Sequence, residues 1–120
     1  MKQNLLLAVA VMIGFTSSLF AQSPKGDAKA GKAKYDLFCA TCHGATGKGD
    51  GVAAAALNPK PRNFQDAASM GKKSDADLSK VIKQGGAAAG LSPIMPPWGS
   101  SLSDQEVANV IAYIRSLSKK

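Results

Sequence analysis

Apolar residues recur at helical spacing in three stretches of this chain, and between them the pattern breaks down. The last stretch is the clearest. Val107, Val110, Ile111, Ile114 and Leu117 fall along one face, with Tyr113 beside it, behind Ser103 and a Glu106 three residues on that together form a capping-box start. In the middle of the chain, Ser74-Asp75-Ala76-Asp77 opens a shorter helix with Leu78, Val81 and Ile82 as its stripe, and Gly85-Gly86 stops it. Nearer the start, Asp27 is placed to cap a helix carrying Ala28, Gly31, Tyr35 and Phe38 on one side.

The connecting segments are as informative as the helices. Gly44 to Gly51 must loop, because glycine recurs there too often for a stable element. A loop so placed is expected to wrap one edge of whatever binds beside it. Ala53 to Leu57 has room for a helical turn, which Asn58-Pro59-Lys60-Pro61 then ends: each proline lacks an amide donor and biases its predecessor to extended backbone. From Gly85 to Gly99 the chain is too interrupted by glycine and proline for regular structure, yet Leu91, Ile94 and Met95 make it too apolar for a plain linker. It should pack against something apolar. No strand-like alternation and no internal repeat stand out, so the fold class is all-α.

The first residues follow another logic. Lys2, an apolar run from Leu5 to Phe15 and then Thr16 to Ala21 have the layout of a secretory leader, with cleavage expected after Ala21. The run is short of the ~20 residues that span a bilayer, so a leader is preferred to an anchor and no stable membrane insertion is expected once it is removed. Residues 22–120 then form a single domain, enough for one small core and not two.

Chemistry concentrates in Cys39-Ala40-Thr41-Cys42-His43, which holds both cysteines and the only histidine of the chain. Two thiols separated by two residues, followed directly by histidine, is the spacing for covalent c-type haem attachment. The thiols add to the vinyl groups of one haem and the imidazole ligates its iron. A thioredoxin-like CxxC would need strand–helix–strand surroundings that are absent from this sequence, and structural zinc wants four Cys or His ligands where the chain has three. A small core rich in alanine and glycine would gain much contact surface from a macrocycle at its centre.

Net charge is +7, and +6 once Lys2 leaves with the leader. With only Arg62 and Arg115 as arginines and no basic run, nucleic-acid binding is not indicated. Scattered lysines most simply make a solvated face.

Taken in order, a helix ending in CxxCH, a proline-bearing loop, a middle helix, a Met-containing loop and a final helix, the chain resembles a class I cytochrome c over residues 27–118. The resemblance implies the cytochrome c fold, helices and loops wrapped around one covalent haem c held by Cys39 and Cys42. His43 would be the proximal iron ligand, oriented by a proline carbonyl for which Pro59 and Pro61 compete. Met95, in Ser92-Pro93-Ile94-Met95-Pro96-Pro97-Trp98, would be the distal ligand, with Met70 as its rival. Arg62 and Trp98 are candidate hydrogen-bond donors to the haem propionates. The first and last helices would cross, bringing Gly31 and Tyr35 against the Tyr113 region.

A six-coordinate iron leaves no substrate position, so the resemblance implies a one-electron carrier and not an enzyme; the leader with the CxxCH segment makes it periplasmic, and a monomer is the default expectation for a carrier. Its partners would be redox proteins with acidic docking surfaces, met by lysines such as Lys48, Lys72, Lys73 and Lys83. The alternative is a c-type haem protein with an open or labile distal site, acting as a gas sensor or small-molecule redox enzyme. That reading lacks a second histidine for distal acid–base work.

Overall fold

The computed structural model describes residues 22–118, so the expected leader over residues 1–21 lies outside the described residues. The chain forms helices α1 (Ala28–Phe38), α2 (Ala40–His43), α3 (Ala67–Met70), α4 (Asp75–Gln84) and α5 (Asp104–Leu117), with 3-10 turns at Ala54–Ala56 and Ala87–Ala89. Among the described residues there is no strand. The all-α reading holds.

Each long helix begins where its cap stands. The Asp27 carboxylate accepts from the backbone N–H groups of Lys29 and Ala30. Ser74 with Asp77, and Ser103 with Glu106, close complete capping boxes, each satisfying N–H groups that a helix start leaves without partners. α3 is the helix that apolar periodicity did not reveal. It is one turn long, capped by Asp66 through Ser69 N–H, and too short to display a stripe. The Ala87–Ala89 turn likewise sits inside a stretch expected to be irregular.

The core is the crossing of α1 and α5. Tyr35 on α1 and Val107, Val110, Ile111 and Ile114 on α5 are buried together with Cys39, Phe64, Met70, Ile82 and Leu102. Gly31 makes the approach possible, because a Cβ at that position would lie 1.8 Å from the Asn109 carbonyl oxygen. Tyr35 then meets Tyr113 edge to face, with ring centroids 5.0 Å apart. The crossing is tied at its end by the Asp27 N–H donating to Asn109 Oδ1 at 2.9 Å and at its side by a Lys34–Glu106 ion pair at 2.8 Å.

Arg115, near the end of α5, fastens the remaining elements. Its guanidinium donates to the carbonyls of Met70 (2.9 Å) and Lys73 (2.5 Å) and pairs with Asp75 (2.9 Å). The turn between α3 and α4 is thereby held on α5, and Met70 is fixed in place.

Candidate haem site

α2 follows α1 after a break at Cys39, and its four residues cannot supply partners for their own last carbonyls. The glycine loop does so. Gly49 N–H donates to His43 O at 2.7 Å, Gly51 N–H to Cys42 O at 3.1 Å and Ala53 N–H to Thr41 O at 3.0 Å. Gly51 packs so closely on this turn that a Cβ would lie 2.2 Å from Thr41 O. The expectation that Gly44–Gly51 would wrap a cofactor edge is corrected here: the loop covers the outside of the Cys39–His43 turn and contributes no wall to the main cavity. The unpaired carbonyls of a one-turn helix draw it there.

That cavity, about 710 Å³, is lined by Cys39, Cys42 and His43 together with residues of the Met95 loop. Leu57, Phe64, Leu78, Val81 and Ile82 contribute apolar wall. Arg62, Met70 and Trp98, the other residues singled out from sequence, also reach it. The two thiols are not bonded to each other. Burial, followed by the neighbouring Cys42, pushes the Cys39 thiol up to about 12.

His43 is held twice. Its Nδ1 lies 3.2 Å from the backbone carbonyl of Arg62, and its ring stacks on Phe64 with centroids 4.4 Å apart and planes 14° from parallel. A carbonyl only accepts, so this bond places the proton on Nδ1 and leaves the Nε2 lone pair free. Burial lowers the imidazole pKa below its usual value, against the opposing pull of the Arg62 bond. Neither Pro59 nor Pro61 is the acceptor. The Pro61 carbonyl is turned onto the backbone of Gly49, where a Cβ would come within 2.3 Å of it, and the next carbonyl in the chain reaches the histidine. Arg62 therefore serves the imidazole through its backbone, while its guanidinium donates to Ser69 Oγ on α3.

The Met95 loop is fastened to the end of α4. Trp98 N–H donates to Ile82 O at 2.8 Å and Gly99 N–H to Lys83 O at 3.1 Å, satisfying carbonyls the helix terminus leaves open. Gly86 N–H donates to Met95 O at 3.0 Å, and a Cβ on Gly86 would meet Ser92 O at 2.0 Å, so the loop returns tightly on itself. Met95 is half-buried, whereas Met70 is 1 % exposed within the core. The Trp98 ring packs against Phe38 at 5.1 Å.

Of the lysines expected around this site, Lys73 lines the cavity and Lys83 is paired with Asp104 at 2.6 Å. Lys48 and Lys72 are exposed but not part of the cavity wall, where Lys60 and Lys80 stand instead.

Two thiols, an imidazole with one nitrogen committed and the other free, and a thioether around an apolar cavity form a donor set that suits covalent haem. Comparison with known proteins agrees. The sequence profile of the family "Cytochrome c" matches residues 28–118. Cytochrome c-554(547) of Halothiobacillus neapolitanus is 34 % identical over 92 residues, covering 77 % of this chain and 98 % of that protein. Cytochrome c-555 of Chlorobaculum tepidum is 34 % identical over 117 residues, 92 % of this chain and 94 % of the relative. Among solved structures, a chain of the Kuenenia stuttgartiensis reducing HAO-like protein complex superimposes with a TM-score of 0.66 at 30 % identity. That match covers 81 % of this chain and 45 % of the other, so this protein spans less than half of that neighbour's length. The c-type cytochrome KustC0563 gives 0.61 at 27 % identity, covering 74 % of this chain and 98 % of the neighbour. The fold, the CxxCH segment and these matches lead to one conclusion: the chain belongs to the cytochrome c family, whose members carry electrons on covalently bound haem c.

Proposed function

We propose that this protein is an exported, periplasmic, monomeric one-electron carrier with Cys39 and Cys42 as thioether attachments, His43 as proximal ligand and Met95 as distal ligand. The observation that carries this reading is that His43 and Met95 line the same cavity; Met70 also reaches it but is 1 % exposed and packed into the core. Bound there, haem c supplies a ferric–ferrous couple that takes up and gives back one electron.

The chain's own residues determine how well that couple works. The Arg62 carbonyl fixes the His43 tautomer and leaves the Nε2 lone pair free, so that His43 could hold the iron through it. Met95 would supply a thioether ligand, which would favour the ferrous state relative to a second imidazole and raise the potential. Leu57, Phe64, Leu78, Val81 and Ile82 line the cavity with apolar side chains that would exclude water from a haem bound there. Arg62, with Ser69 beside it, and Trp98 are the candidate propionate donors at the cavity wall. Lys60, Lys73 and Lys80 around the same cavity suit a weak, charge-steered encounter with an acidic redox partner.

Optical spectra of the protein matured with haem-attachment machinery, alone and as Met95→Ala and Met70→Leu, test the reading. Haem that survives acid extraction and a weak red-edge sulfur-to-iron band in the ferric protein are expected. The band should vanish in Met95→Ala, whose reduced form should bind carbon monoxide, and persist in Met70→Leu. Loss of the band in Met70→Leu alone would make Met70 the ligand. Absence of the band with ready carbon monoxide binding by the unaltered protein would favour an open-site sensor or enzyme.

A further inference from the structure

We propose that Phe64 is a positioning residue that sets the plane of the His43 imidazole. The inference rests on His43 being the proximal ligand, as proposed above. A histidine ring on a turn has a broad, roughly two-fold torsional preference, so something besides its own rotamer must choose the plane. The Nδ1 contact to Arg62 O, at 3.2 Å, is at the long end for a hydrogen bond, and a single bond to a carbonyl leaves the ring able to rock about the line joining them. A parallel aromatic face at 4.4 Å and 14° removes that freedom.

Phe64 is itself immobilised. Its N–H donates to Gly47 O at 2.6 Å, and the neighbouring Gln65 amide donates to Thr46 O at 2.8 Å, pinning this segment to the glycine loop. Tyr35 backs the Phe64 ring edge-on with centroids 6.4 Å apart. Tyr35 is wholly buried and its hydroxyl donates to Gly44 O at 2.7 Å, so the ring behind the stack is locked in turn. Both restraints on His43 therefore come from residues two positions apart on one segment, and that segment is tied to the α1–α5 crossing through Tyr35.

The imidazole plane decides which iron orbital it overlaps and so where unpaired spin spreads over the ferric haem, which the hyperfine-shifted haem methyl resonances report. The experiment compares holoprotein carrying Phe64→Leu, Phe64→Tyr or Val110→Ala, the last a core truncation away from the cavity. Proton NMR of the ferric form gives the methyl pattern, and of the ferrous form the solvent exchange of the His43 Nδ1–H. Phe64→Leu should reorder or re-space the methyl resonances and speed Nδ1–H exchange by about tenfold or more, because the ring now opens away from Arg62 O more often. Phe64→Tyr, which retains the aromatic face, should leave both unchanged. Val110→Ala should lower the melting temperature and leave both unchanged. A Phe64→Leu protein with the wild-type methyl pattern and Nδ1–H exchange within about twofold would overturn the proposal, as would equal changes in Val110→Ala. Absence of any haem-shifted imidazole signal in the unaltered protein would instead remove the ligand assignment itself, and this inference with it.

Discussion

Gly31→Ala sets two physical effects of known size against each other. In an exposed helix interior, replacing glycine by alanine stabilises by about 1 kcal/mol, since alanine restricts the unfolded chain and favours helix. At position 31 the new Cβ would lie 1.8 Å from Asn109 O, 2.3 Å from Asn109 C and 2.8 Å from Val110 N. All three are backbone atoms of α5, so no side chain can swing aside. Restoring ordinary contact, 3.4 Å or more, requires α1 and α5 to separate or slide. Doing so loosens the packing of Tyr35 against α5, the centre of the core. Overpacking a well-filled interface costs about 1–3 kcal/mol, and unyielding backbone puts this case at the upper end. The net expectation is a loss of about 2 kcal/mol after the propensity gain, which lowers Tm by about 8–16 °C for a domain of this size.

Circular dichroism melts of the holoprotein, followed in the Soret region as well as the far ultraviolet, measure this directly. Ala33→Gly, on the exposed side of the same helix, is the control, with an expected cost of about 1 kcal/mol. If propensity alone ruled, the two substitutions would have opposite signs. A Gly31→Ala protein as stable as the unaltered one would refute the argument that glycine is there for close approach.

Removing the Arg115 guanidinium in Arg115→Ala should cost about 2 kcal/mol or more in urea unfolding, because it strips charged donors from the carbonyls of Met70 and Lys73. Asp75→Ala should cost under about 1 kcal/mol, since the Asp75 side chain is 71 % exposed and its ion pair is screened; comparable losses in the two variants would refute this ranking. Acid unfolding should be flattened by Glu106→Gln and Asp77→Asn. The Glu106 carboxyl is held below its ordinary 4.5, first by its hydrogen bond with Lys34 and then by Ser103 N–H, and Asp77 below its ordinary 3.8, first by Ser74 N–H. Groups depressed in the folded state stabilise it above their unfolded values and lose that contribution as pH falls through the folded ones, so stability should decline below about pH 4.5 less steeply in each variant.

What was legible in the sequence was whatever chemistry a side chain announces at fixed spacing. Ser103 with Glu106 and Ser74 with Asp77 were readable because a capping box is a local contract between two side chains and two N–H groups. The CxxCH segment was readable for the same reason. The carbonyl that holds His43 was not, because every residue has a carbonyl and only the path of the chain decides which one faces the ring. Choosing between Pro59 and Pro61 was the wrong question once the Pro61 carbonyl had turned onto Gly49. Nothing in the sequence singled out Arg115, although it ties α5 to two carbonyls some forty residues away in sequence. No pattern within a helix can reveal partners so distant. Phe64 gave no signal either, standing alone among polar neighbours with no apolar stripe to join.

The same distinction explains why the stretch from Gly85 to Gly99 resists a hydropathy reading while the first and last helices submit to one. α1 and α5 bury their apolar faces against each other, so each stripe has a partner encoded in the chain and shows the period of a helix. Leu91 and Ile94 have no such partner: they are 42 % and 53 % exposed, yet both belong to the cavity wall. A haem bound in that cavity would cover them, and it has no helical or strand period to impose on them. A segment that packs against a flat macrocycle needs apolar atoms at the right height and turns that return the backbone, which is what Gly86, Gly90 and the prolines of the Met95 loop provide. Irregularity combined with apolar content, in a chain with a covalent attachment motif, is thus the sequence signature of a core whose centre is not made of protein.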